Sequence, residues 1–115
     1  MNKTKILFIC MMGQDRSRKA MKITNESFSD KLEAKCAGVS AFASTSLTKH
    51  SVDWADKIIC MERRHRDTLF EKFPEARKKE SEVWDISSDF SFNDRDLEKC
   101  LLERIEKIIE EDFDD

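Results

Sequence analysis

A chain of 115 residues with a net charge of −3 is sized for one domain, 1–115, and lacks the basic surplus that nucleic-acid binding calls for. Charged residues make up 39% of it, yet the apolar residues gather into runs, which favours a folded core over disorder; none of those runs nears the roughly 20 residues of a membrane span. Four scattered cysteines without a Cys-x-x-Cys pair, and only two histidines, fit reduced thiols in the cytoplasm better than a disulfide framework or a zinc site.

The N-terminus is basic, but the apolar run behind it is only strand-length and has no small-residue cleavage site, so no signal peptide is expected. Lys5 to Ile9 is continuously apolar after its first residue, as in a strand buried on both faces. Ser17 to Phe28 reads as a helix with Ala20, Met21, Ile23 and Phe28 on its inner side. Leu32 to Ala37 alternates apolar with charged residues, a second strand that Gly38 ends. The small polar stretch 41–46 reads as a loop, and Thr48 to Ala55 as a short helix carrying Val52 and Trp54 inward. Asp56 to Met61 is a third strand, and Glu62 to Phe73 a third helix that the only proline, Pro74, ends. Residues 76–80 read as a charged surface linker, Glu82 to Ile86 as a fourth strand, and 87–93 as a loop. The last helix runs from Asp94, its expected N-cap, to about Asp112, with Leu97, Leu101, Ile105 and Ile108 as its apolar stripe.

This β-α-β-α-β-α-β-α order predicts an α/β fold: a four-stranded parallel sheet, order 2-1-3-4, flanked by helices on both faces. Ligands of such sheets bind at the carboxyl ends of the strands. There the first strand runs into Cys10-Met11-Met12-Gly13-Gln14-Asp15-Arg16-Ser17. A loop leading into a helix offers backbone N–H groups and the positive end of a helix dipole to a phosphate. Arg16 adds a planar fork matching two phosphate oxygens. The same field favours the thiolate of Cys10, and the Ser17 hydroxyl is placed to donate a hydrogen bond to it. Residues 11–17 are therefore the expected phosphate-binding loop, with Cys10 as nucleophile and Arg16 as charge clamp. The implied reaction is in-line attack by Cys10 on phosphorus, then hydrolysis of a phosphocysteine, with neither metal nor other cofactor.

The Cys-x5-Arg-Ser loop after the first strand resembles that of the low-molecular-weight protein tyrosine phosphatases, whose motif is Cys-x-Gly-Asn-x-x-Arg-Ser. Lys35-Cys36-Ala37-Gly38-Val39 is similar to the end of that family's second strand, and 54–65 to its third strand and following helix. The resemblance, strongest to a compact subgroup of predicted tyrosine phosphatases, implies the phosphotyrosine phosphatase I-like fold and a phosphomonoesterase acting on a phosphorylated protein or a small aryl phosphate. The expected state is a monomer or weak dimer with no nucleic-acid or membrane partner. Met12-Gly13 stands where the family has Gly-Asn; Gly13 suits a left-handed backbone as Asn does, but the Asn side chain that braces the family's loop is gone. The general acid is an Asp-Pro-aromatic aspartate after the fourth strand; this chain has no Asp-Pro there. Asp89 is the expected acid, followed by Phe90 at the rim, with Asp85 or no acid as the alternatives. A phosphate-binding module without catalysis stays open on that ground. An arsenate reductase, which shares loop and fold, needs resolving cysteines after the third strand, and none lies between Cys60 and Cys100. Cys36 and Cys60, on the strands flanking the first, read as core residues with a conceivable redox role.

Overall fold

The computed structural model describes residues 3–86 and 95–113. Strand β1 (Thr4–Cys10) runs parallel to β2 (Leu32–Gly38) on one side and to β3 (Lys57–Cys60) on the other, and β4 (Glu80–Val83) extends the sheet beyond β3. The order is β2-β1-β3-β4, as the alternation predicts. The centre of the sheet falls on β1 because its residues are apolar on both sides. Ile6, Phe8 and Cys10 enter one core and Leu7 and Ile9 the other.

The first core is closed by α1 (Asp15–Ser27) and α4 (Arg95–Phe113). Leu97, Leu101, Ile105 and Ile108 are all buried, so the i, i+4 stripe of α4 lies on the sheet; each such side chain contributes roughly 1.5–3 kcal/mol. The second core lies under α2 (Lys49–Trp54) and α3 (Arg63–Lys72), through Val52 and Leu69. Helix α2 starts where Thr48 Oγ1 accepts the N–H of Ser51 at 3.1 Å.

Two expectations need correction. Residues 76–80 are not a surface linker: Pro74–Lys78 forms a 3₁₀ turn with Ala76 fully buried. The fourth strand starts at Glu80 rather than Glu82 and ends at Val83 rather than Ile86. The cause is Lys57, a buried cation at the start of β3, whose Nζ lies 3.3 Å from both the Glu80 and Glu82 carboxylates. That pairing fixes the register Lys57↔Glu80, since a buried ammonium needs its counter-charges. Beyond β4 the chain still follows β3 and its extension: the Trp84 N–H donates to Cys60 O at 2.9 Å and the Ile86 N–H to Met61 O at 2.8 Å. Between them Asp85 takes φ 54°, the left-handed region, which Asp enters more readily than most residues. Among the described residues no helix is long and apolar enough to cross a membrane.

Candidate active site

The loop between β1 and α1 is held from one side. The carbonyl of Cys10 accepts the N–H of Val39 at 3.1 Å, that of Met11 the N–H of Ser40 at 2.9 Å, and that of Met12 the N–H of Ser44 at 3.1 Å. The Ser44 hydroxyl also donates toward Met12 O at 3.3 Å and Gly13 O at 3.5 Å. In a trans peptide the N–H points opposite to the carbonyl. With these carbonyls anchored on the 38–44 side, the N–H groups of Met11 to Gln14 are turned the other way. None of those four N–H groups donates to another backbone carbonyl among the described residues. Arg16 and Ser17 follow in the first turn of α1, where amides have no intrahelical partner. The loop is thus an N–H cradle of the kind that holds a phosphate.

Gly13 has φ 67°, the left-handed conformation expected of it. Met12 does not share it, because Asp85 is the only described non-glycine residue with positive φ. The chain's other glycine, Gly38, packs against this turn: a Cβ at Gly38 would stand 2.5 Å from Gly13 N and from Met12 C. Both glycines of the chain are therefore needed at one close crossing of loop and strand. The bracing that the missing Asn would supply comes instead from Ser44, which the sequence hid in a nondescript polar stretch. The same stretch carries Phe42, the one large apolar side chain among the described residues that stands in solvent, 86% exposed.

At the floor, Cys10 Sγ and Ser17 Oγ are 2.9 Å apart and buried, the contact expected of a thiolate and its donor. Arg16 is also buried. Its Nη1 donates to Glu62 Oε2 at 2.5 Å and to the Ile86 carbonyl at 2.7 Å. Glu62 is the site residue that sequence reasoning missed. The signal was topological: Glu62 follows β3 directly, and in this strand order the end of β3 lies beside the end of β1. Its partial burial works to raise its pKa, but hydrogen bonds from Arg16 and Arg64 outweigh that and hold the carboxyl below the usual glutamate value. Arg64 Nε lies 3.2 Å from Glu62 Oε1. Beside it, His65 is fully buried and its Nδ1 accepts the Glu62 N–H at 3.1 Å, so it caps α3. Burial, seconded by the Arg16 charge, pushes the His65 pKa down to about 4.

The remaining expected residues divide. Gln14 precedes α1 without a side-chain capping bond. Helix α1 begins at Asp15, two residues before the expected Ser17, and the Asp15 carboxylate is outside the described side chains. Asp89, Phe90 and the Asp94 cap lie outside the described residues. Asp85 is exposed, next to the Ile86 carbonyl that holds Arg16. Cys36 pairs in register with Phe8 and so shares the face of Cys10, whereas Cys60 packs into the opposite core. Burial raises the pKa of Cys36, and that of Cys60 to about 12, as befits inert core thiols. Among the described residues no three His, Cys, Asp or Glu side chains converge as a metal site needs.

No family model matches the chain. In sequence it is 29% identical to the protein-arginine-phosphatase of Geobacillus stearothermophilus, over a match covering 65% of this chain and 66% of that protein, just under two thirds of the relative. In structure it is similar to the low-molecular-weight protein tyrosine phosphatase of T. tengcongensis, with a TM-score of 0.75 at 22% identity over 95% of this chain and 99% of that one. It is also similar to the YwlE arginine phosphatase from Geobacillus stearothermophilus, with a TM-score of 0.69 at 22% identity over 97% and 99%. The chain therefore has the fold of the low-molecular-weight protein tyrosine phosphatases, and its structural neighbours include both tyrosine and arginine phosphatases.

Proposed function

We propose that this chain is a cysteine-dependent phosphatase of phosphorylated protein side chains, forming a phosphocysteine at Cys10. The observation that carries the reading is the one-sided anchoring of the 10–13 carbonyls beside the Cys10–Ser17 contact. It leaves a ring of N–H donors, with Arg16, for the equatorial oxygens of a phosphoryl group. The Cys10 thiolate attacks phosphorus as the bond to the leaving atom breaks, and the leaving atom takes a proton from the acid. Water then attacks phosphorus, the S–P bond breaks, inorganic phosphate departs, and the water proton returns to the acid. Asp89 is the proposed acid and Asp85 its alternative.

Phosphotyrosine is the proposed substrate, with exposed Phe42 as an aromatic wall on the segment that braces the loop. The sequence match to an arginine phosphatase favours a second reading, hydrolysis of the P–N bond of phosphoarginine. The protein would act in the cytoplasm as one domain, as a monomer or weak dimer.

The test is turnover of a phosphotyrosyl and a phosphoarginyl peptide by wild type, Cys10→Ser, Asp89→Asn and Asp85→Asn. The account expects Cys10→Ser to abolish turnover and one aspartate variant to slow it. Whichever peptide has the higher kcat/KM assigns the substrate. A wild type that binds phosphate but turns over neither peptide is a binding module, and the enzyme reading falls.

A further inference from the structure

Helix α3 opens on Arg63, Arg64 and Arg66, with no acidic residue in its first turn. The positive end of a helix dipole favours carboxylates there and disfavours cations, so stability does not account for this placement. Pairing accounts for it only in part. Arg64 is engaged, its Nε 3.2 Å from Glu62 Oε1. Arg63 is exposed and Arg66 half-buried, and neither has a hydrogen bond or an ion pair among the described residues. Asp67, the next carboxylate along the helix, is exposed and bonds to neither. A chain of net charge −3 thus carries a local basic patch at one helix start.

The patch borders the anion site. Glu62 accepts from both Arg64 and Arg16, so a single carboxylate separates the patch from the arginine of the cradle. The Arg66 charge acts on Cys60, where it opposes the rise in pKa that burial causes. Cys60 is the last residue of β3 and pairs in register with Ile9, the neighbour of Cys10. We propose that Arg63 and Arg66 form a docking site for carboxylates flanking the phosphorylated residue, so that the substrate is a phosphoprotein segment rich in acidic side chains. The proposal rests on the phosphatase reading of the site and narrows its substrate class. A guanidinium grips a carboxylate through two parallel N–H donors. Residues three apart on a helix have Cβ atoms about 5–6 Å apart, and alternate residues of an extended peptide lie on one side about 7 Å apart. The spacing that fits is therefore Glu-x-Glu. A peptide held in the cradle by its phosphoryl group presents these carboxylates at high effective concentration. Nucleic acid lacks that tether and meets the acidic surplus of the rest of the chain.

The test compares phosphopeptides that differ only in a flanking Glu-x-Glu against Gln-x-Gln, placed before or after the phosphorylated residue. Each is made with phosphotyrosine and with phosphoarginine. Initial rates are measured for wild type and for the double variant Arg63→Gln, Arg66→Gln, with the urea midpoint of each. Wild type should prefer one acidic peptide by about five- to tenfold in kcat/KM at low ionic strength, through KM and not kcat. Salt at about 0.5 M should erase the preference, because the screening length then falls to a few ångströms. The double variant should lose the preference and keep the wild-type rate on the free phosphoamino acid, which has no flanking residue. Its urea midpoint should not fall, since the cations it removes oppose the helix dipole. Equal kcat/KM for acidic and neutral peptides in wild type, or a preference that survives in the double variant, overturns the docking site and leaves the phosphatase reading standing. A DNA duplex that binds wild type more tightly than the acidic peptide at the same salt, and fails to bind the double variant, assigns the patch to nucleic acid and also overturns it. A wild type that turns over neither peptide series overturns the phosphatase reading itself.

Discussion

Replacing Gly38 by alanine adds one methyl group, far along the chain from Cys10, and should disable the site. A Cβ there would lie 2.5 Å from Gly13 N, 2.5 Å from Met12 C and 2.6 Å from Ala43 Cβ. Ordinary carbon contacts begin near 3.5 Å, so the shortfall is roughly 1 Å, and two of the three atoms are backbone that has no rotamer to escape into. The strand cannot retreat: Gly38 N donates to Thr45 O at 2.8 Å and Gly38 O accepts from Leu47 N at 3.1 Å. The loop must therefore shift. Overpacking of this kind costs about 1–3 kcal/mol, which a domain with roughly 5–15 kcal/mol of stability survives. A displacement of about 1 Å in a catalytic cradle costs on the order of a hundredfold in rate. The expected result is a folded protein, with a modest drop in the urea midpoint, whose kcat on an aryl phosphate and affinity for vanadate both collapse. Gly38→Ala with wild-type vanadate affinity would refute the close crossing as the origin of the loop's geometry.

Other outcomes follow from the same geometry. Ser44→Ala removes the hydroxyl that donates to Met12 O and Gly13 O; a partly exposed bond of this kind is worth about 1 kcal/mol, so vanadate binding should weaken by about fivefold with the fold intact, as measured by calorimetry. Phe42→Ala should raise KM for an aryl phosphate while leaving the rate on a small alkyl phosphate unchanged, because only the backbone N–H of Phe42, which alanine keeps, bonds to Ser40 beside the cradle. The buried His65 predicts a pH dependence of stability. Its folded pKa of about 4 lies below its ordinary value of 6.5, so the unfolded chain takes up the proton first. The His65 contribution is whole above pH 6.5 and is lost as pH falls toward 4, by roughly 3 kcal/mol in all. Urea midpoints across that range should fall in wild type and less steeply in His65→Gln, whose amide at this third helical position can still reach the Glu62 N–H. The depressed Glu62 carboxyl adds a loss of the same sign at lower pH, once its own protonation begins.

What the sequence made legible was whatever is written locally. The run Ile6 to Ile9 could only be a strand buried on both faces, the four-residue spacing from Leu97 to Ile105 could only be one face of a helix, and strand–loop–helix order at Cys10 to Ser17 puts the thiol, the serine and the arginine on one loop. The parts that escaped depend on contacts between distant segments. Glu62 looks like one acidic residue among many until β3 is laid beside β1. Ser44 has no periodicity to announce it, yet it replaces a side chain absent from the loop itself. The start of β4 at Glu80 is set by the buried Lys57, a pairing that no window of neighbouring residues contains. The acid assignment to Asp89 rests on a segment outside the described residues and stays with the proposal.

The central claim, that Cys10 is the nucleophile in a phosphate cradle, is tested most directly by acid-quenching a turnover reaction within the first cycle and weighing the peptide that contains Cys10. The account predicts a phosphoryl group on that peptide, formed in a burst and absent from Cys10→Ser. Turnover with no phosphoryl group on Cys10, or turnover undiminished in Cys10→Ser, would contradict it.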